Sequence, residues 1–196
     1  MNYLAHIFLS GENNDVMVGN FIADHLKGNM RNAFNGQIKT GIQLHHTIDA
    51  FTDAHPLVAL SKNRLRPNMN KYTPVVIDVY YDHFLAVNWL NYHPTPLPEF
   101  VKTVYKKLIK YESILPPRTL YMLGFMQQEN WLAGYAHFKN LEIIFGNMSK
   151  RAAFKNNMHN AVDYLKTDYD LFQSEFALFF ELLNENATAF RAVHGV

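Results

Sequence analysis

The sequence predicts an all-α protein: a single-domain helical bundle of roughly seven helices spanning residues 1–196. Apolar residues recur at helical spacing over long stretches, most clearly Val162, Leu165, Tyr169, Phe172, Phe176, Phe179 and Leu183. Strand-like alternation is absent. Hydrophobic residues make up 48% of the chain, which supplies one sizeable core at this length and excludes a disordered tail.

The elements follow from local signals. Residues 2–9 read as a short helix carrying His6, closed by the polar turn SGENND. Helical spacing resumes at Asp15 and runs to about Lys27, with Gly28 as its stop. Residues 28–40 are rich in Gly and Asn and read as turns. The stretch GIQLHHTIDAFTDAHP at 41–56 is the next helix, stopped at His55-Pro56 because proline excludes its predecessor from the α region. RLRPNMNKYTP at 64–74 reads as a second turn, and Pro74 opens the helix VVIDVYYDHFLAVNWL. HPTPLP at 93–98 is a break too short to divide two cores. EFVKTVYKKLIKYESIL is amphipathic, its lysines a solvated face, and residues 116–138 form one or two helices. Residues 157–192 close the chain as helix.

Composition narrows the function. Lys and Arg number 18 against 17 Asp and Glu, so no large nucleic-acid footprint is expected. Cysteine is absent, which removes thiolate metal sites and thiol nucleophiles. The N-terminus lacks a signal-peptide pattern and no run approaches the roughly 20 apolar residues of a membrane span. A cytoplasmic protein with no membrane partner is the expectation.

Polar residues able to bind metal crowd the first half: His6, Asp24, His45, Asp49, Asp53, Asp78, Asp82 and His83. In the 41–56 helix, His45, Asp49 and Asp53 stand four residues apart and share a stripe beside the apolar Leu44, Ile48 and Phe51. Imidazole and carboxylate in one column suit a divalent first-row ion. A solvated His–Asp pair, worth a few tenths of a kcal/mol, is the alternative for that helix alone. The density of carboxylates on otherwise apolar helices favours a shared cation, since an unpaired buried carboxylate is costly. HExxH, P-loop, GxGxxG, GxSxG and Glu-x-x-His patterns are all missing, which counts against zincins, P-loop NTPases, dinucleotide enzymes, serine hydrolases and di-iron bundles.

NYLAHIFLS at the N-terminus, GNFIAD at 19–24, GIQLHHTIDAFTDAHP and IDVYYDHFL at 77–85 resemble, in order and spacing, the bacterial acyl carrier protein phosphodiesterases. Weaker echoes follow in NWLAGY at 130–135 and NMSKR at 147–151. The resemblance implies an HD-domain-like helical fold of an atypical branch, for the chain has only the reversed dipeptides Asp24-His25 and Asp82-His83. It implies hydrolysis of the phosphodiester joining 4′-phosphopantetheine to a serine of holo acyl carrier protein. It further implies a divalent metal, manganese first with magnesium or iron(II) as alternatives.

By position, the resemblance puts the ion on His45 and Asp49 with Asp24 and His6 or Asp82. Asp24 could also act in catalysis, Asp53 or Asp78 could accept the water proton, and His46 or His83 could serve the leaving serine oxygen. Asn20 is assigned to the substrate side, and Arg64, Arg66 and Lys71 to the acidic carrier protein. His46 stands where the family often has Arg, and imidazole is cationic only part of the time near neutrality. Two rival readings remain. One is an HD-like phosphohydrolase of a nucleotide or other small phosphoester; the other is a non-enzymatic helical binding protein.

Overall fold

The computed structural model describes residues 1–196, the side chains of Asn29, Arg31 and Asn32 excepted. Among the described residues every regular element is helical, so the predicted class holds. Helices α1 (Tyr3–Leu9) and α2 (Asn14–Ile22) lead into two 3-10 turns, Ala23–His25 and Gly28–Ala33. Then come α3 (Gly36–Ala54), α4 (Pro56–Met69), α5 (Thr73–Val87), α6 (Leu97–Ile109) and α7 (Pro117–Gln128). The chain closes with α8 (Trp131–Gly134), α9 (Phe138–Arg151), α10 (Ala161–Thr167) and α11 (Tyr169–Val193).

Among the described residues eleven α-helices exceed the roughly seven expected, because several apolar stretches are interrupted where spacing alone gives no warning. The second helix ends at Ile22, short of Lys27, and α3 begins five residues before Gly41. The stretch at 64–74 is not a turn: α4 continues through Pro67 to Met69. Proline there removes only the bond to the Asn63 carbonyl, and both residues face solvent, where water takes that bond's place.

Helix α5 is apolar on nearly every side, with Val76, Ile77, Val79, Tyr80, Tyr81, Phe84 and Leu85 all fully buried, and it therefore forms the centre of the bundle. Helix α11 lays Phe172, Phe176 and Phe179 along it, with ring centroids 5.5 Å apart for Tyr81–Phe176 and 5.8 Å for Phe84–Phe176.

Two features position the N-terminal helices. Where α2 crosses α3 the backbones touch: a Cβ on Gly19 would lie 2.0 Å from the Ile38 carbonyl oxygen, and one on Gly41 2.1 Å from that of Val16. Only glycine fits at either point. Helix α1 is held from α5, where the buried Asp82 carboxylate accepts the backbone N–H groups of Asn2, Leu4 and Ala5 at 3.2, 2.8 and 3.3 Å. These are the donors a helix start leaves without partners. Asp78, one turn earlier, takes the Met1 amine at 2.9 Å.

Candidate metal centre

Ligand atoms from separate segments converge on one point. His6 from α1, and His45 and Asp49 from α3, each offer an atom within 4.8 Å of the others. His6 Nε2 lies 3.2 Å from Asp49 Oδ1, and His45 Nε2 lies 3.1 Å from Asp49 Oδ2. Asp24, on the 3-10 turn after α2, brings its Oδ1 within 3.0 Å of the same His45 nitrogen. The two imidazoles stack with centroids 4.2 Å apart.

Behind the rings stands Asn20, 1% exposed. Its amide nitrogen donates to the His6 carbonyl at 2.9 Å and to Ser10 Oγ at 3.0 Å, so the amide orientation is fixed. Its Oδ1 then faces His6 Nδ1 at 2.8 Å and His45 Nδ1 at 3.1 Å, and its backbone oxygen also faces His45 Nδ1 at 3.0 Å. Both Asn20 oxygens are acceptors, so both rings carry their proton on Nδ1 and turn Nε2 toward the carboxylates. A bare Nε2 lone pair opposite a carboxylate oxygen is repulsive. The arrangement therefore calls for a positive charge between them, either a proton or a metal ion.

Electrostatics agree. Burial drives His6 down to about 4, with His45 and the Met1 amine acting in the same direction against Asp49. Burial also presses on His45, but hydrogen bonds to Asp24 and Asp49 overcome it and hold the ring up at about 9. Burial would raise Asp49, and the two histidines reverse that, keeping its carboxylate far below the ordinary range. Asp24 is lowered as well, first by its bond to His45. Two imidazole nitrogens with two ionised carboxylates are a donor set that fits a divalent first-row cation. The oriented Nδ1–H groups are what metal-binding histidines ordinarily show. A cavity of about 20 Å³ opens beside them, bordered by Tyr3, Phe21 and Asp24, large enough for one water or ion.

The structure brings together His6, Asn20, Asp24, His45 and Asp49 from the residues singled out in the sequence. The others have different partners. Asp82 does not reach the group, because three backbone amides occupy its oxygens; burial nonetheless pushes its carboxyl up to about 7 against those bonds. Asp78 is held by the Met1 amine, and Asp53 sits exposed in an ion pair with Lys62 at 2.7 Å. His83 is buried between the Tyr135 carbonyl at 2.8 Å and the Tyr169 hydroxyl at 3.0 Å. His46 is exposed on the solvent side of α3, its ring edge-on to His45 at 5.6 Å. Arg64 is clamped by Glu175 through two contacts of 2.6 Å. Arg66 and Lys71 border an open pocket of about 380 Å³ between α4 and α5, together with Lys62.

Sequence reasoning missed Ser10, which orients the Asn20 amide, and the Gly19–Gly41 crossing that sets the Asn20 carbonyl against His45. The signal for the crossing is in the chain: a glycine precedes a site residue on each helix, one position before Asn20 and four before His45.

A family model described as acyl carrier protein phosphodiesterase matches residues 1–183. Curated proteins of that name are similar over nearly the whole chain. The Enterobacter sp. (strain 638) protein is 31% identical over 92% of this chain and 94% of its own length. That of Photorhabdus laumondii is 27% identical over 95% of each chain, and an Escherichia coli protein is 28% identical over 96% of this chain and 98% of its own. No solved structure matches.

Proposed function

The chain belongs to the acyl carrier protein phosphodiesterase family, and from that membership and the geometry above we propose that it hydrolyses the phosphodiester between 4′-phosphopantetheine and a serine of holo acyl carrier protein. Water supplies the oxygen that forms the new bond to phosphorus. The bond from phosphorus to the serine oxygen breaks, and the serine takes a proton, giving apo carrier protein and free phosphopantetheine.

The observation that carries this reading is the pair of Nδ1-tethered imidazoles facing Asp49 and Asp24. His6, His45, Asp49 and Asp24 would hold a divalent ion, manganese first. When bound, such an ion supplies Lewis-acid neutralisation of the phosphodiester charge and acidifies water, which a twice-substituted phosphate needs because its negative charge repels nucleophiles. Asn20 acts through the imidazoles by fixing which nitrogen faces the ion. His46, beside His45 and open to solvent, is the proton donor to the departing serine oxygen. Asp53, Asp78 and His83 have partners of their own and take no part in these proton transfers. The acidic carrier protein docks on the Arg66–Lys71 side, where the cations of the α4–α5 pocket meet it. Arg64 contributes only indirectly, since Glu175 already occupies its guanidinium fork. An HD-like relationship is consistent with helices that supply His and Asp to one ion. Among the described residues no helix is long and apolar enough to cross a membrane, and a cytoplasmic setting fits the substrate.

The test is mass spectrometry of holo carrier protein after incubation with protein loaded with manganese. Loss of the phosphopantetheine mass is expected, abolished by chelator and reduced at least about 100-fold in Asp49→Ala, whose removal leaves two imidazoles without their shared carboxylate. Unchanged holo carrier protein beside turnover of a nucleotide panel would move the assignment to a small phosphoester. Absence of metal uptake would remove the enzyme reading altogether.

A further inference from the structure

Helix α7 lies against the mouth of the metal centre, and the sequence patterns assign none of its residues to the site. Two contacts fix it there. Thr119 Oγ1, fully buried, shares a 2.7 Å hydrogen bond with Nδ1 of His25, the neighbour of Asp24 on the 3-10 turn. The hydroxyl of Tyr3, which borders the cavity, donates to Met122 Sδ at 3.2 Å. Positions 119 and 122 therefore face the site, and Arg118, one residue before the first and four before the second, lies on the edge of that face. Its side chain is exposed, and it has no ion-pair partner among the described residues. Its charge reaches both docking residues: it opposes the burial that raises Tyr3 to about 12 and adds to the burial that lowers His25.

Three other described cations are less suited. Arg64 is held by Glu175 and Lys62 by Asp53. Arg151 also acts on Tyr3, but its Nε is bound to the Asn147 carbonyl at 3.2 Å. Around the ligand group stand two ionised carboxylates, whose charge a divalent ion balances, leaving no net positive charge there for the phosphodiester's negative one. A guanidinium at the rim offers paired donors matched to two phosphate oxygens and stays charged at any working pH. That is the role for which position 46, with its imidazole, is poorly equipped.

We propose that Arg118 is the phosphate clamp of this site, holding nonbridging oxygens of the substrate's phosphodiester at the cavity mouth where Thr119–His25 and Met122–Tyr3 dock α7. The assignment rests on the phosphodiesterase reading for its natural substrate, though not for its anion.

The experiment compares the parent with Arg118→Ala and Arg118→Lys, each loaded with manganese. Metal content and Tm are expected to match the parent in both variants, since the side chain is exposed. On holo carrier protein, Arg118→Ala is expected to lower kcat/KM about 100-fold or more, with Arg118→Lys recovering part of it. Binding of inorganic phosphate, followed by calorimetry, should weaken at least about tenfold in Arg118→Ala, because one charge-assisted pair is lost. Phosphate binding and turnover within twofold of the parent in Arg118→Ala would overturn the clamp and leave the substrate assignment standing. A parent inactive on holo carrier protein, whose phosphate binding still depends on Arg118, would overturn the substrate and support the clamp.

Discussion

Asn20 presents one side-chain oxygen to two imidazoles, so replacing it separates ring orientation from ligand identity. Asn20→Ala keeps every proposed metal ligand but frees the His6 ring to turn and leaves His45 Nδ1 only the backbone carbonyl of residue 20. Manganese affinity is expected to fall about 10- to 100-fold, as for other residues that orient ligands from behind, measured by titration against a competing chelator. Protons compete for the same site. In the metal-free protein His45 holds its proton to about 9, whereas His6 is neutral above about 4. Between pH 6.5 and 8.5 an entering ion therefore displaces one proton, from His45, and apparent affinity should climb about tenfold per pH unit. Linkage runs the other way for stability without metal. The folded pKa of His45 lies above its unfolded value, so its contribution is complete below about 6.5 and disappears as pH rises through about 9. A pH-independent manganese Kd would refute the proton-competition account. The residue types of this site were legible because His45 and Asp49 share a helical stripe. The tethering of each Nδ1 was not, for it depends on oxygens of Asn20, a residue on another helix.

Gly19 and Gly41 act at the scale of the element, since neither touches a ligand yet both set how closely α2 approaches α3. Alanine at either point meets a carbonyl oxygen at about 2 Å, and backbone cannot yield as a side-chain end can. Gly19→Ala and Gly41→Ala should each cost at least about 1–3 kcal/mol from overpacking and draw the Asn20 carbonyl away from His45, lowering manganese affinity along with Tm. Gly124 is the contrasting case: it lies within α7, and a Cβ added there would meet nothing within 4 Å. Gly124→Ala should stabilise by about 0.5–1 kcal/mol through helix propensity, leaving metal binding unchanged. Thermal melts with and without manganese distinguish these outcomes. Helix existence was readable from apolar spacing, and α1, α5 and α6 begin close to where the sequence places them. Helix ends were less so. The stretch 64–74 around Pro67 reads as a turn, yet the carbonyl that Pro67 leaves unbonded faces water, a fact of tertiary placement that a one-dimensional pattern does not contain.

Across the whole molecule the two regions proposed to meet the substrate lie on different elements, and salt separates them. Arg118 stands on α7 beside the cavity, while Arg66 and Lys71 border the open pocket between α4 and α5. Near-balanced total charge hid this division, because 18 cations against 17 anions says nothing of where either set gathers. Exposed charges that steer a protein partner are screened once the Debye length falls to about 10 Å at 0.1 M salt. A short contact between a guanidinium and a phosphate inside the mouth is screened much less. Raising salt from about 50 to 300 mM should therefore raise KM for holo carrier protein about tenfold, with kcat little changed, since steering acts on association. The small diester bis(p-nitrophenyl) phosphate has no protein surface to dock, and its kcat/KM should stay nearly constant over the same range. In the double variant Arg66→Ala, Lys71→Ala, the dependence on salt should flatten toward that of the small substrate, because the cations being screened are gone. Equal salt slopes for the double variant and the parent would place carrier docking elsewhere on the surface, and the exposed face of α7 beside Arg118 would be the next region to test.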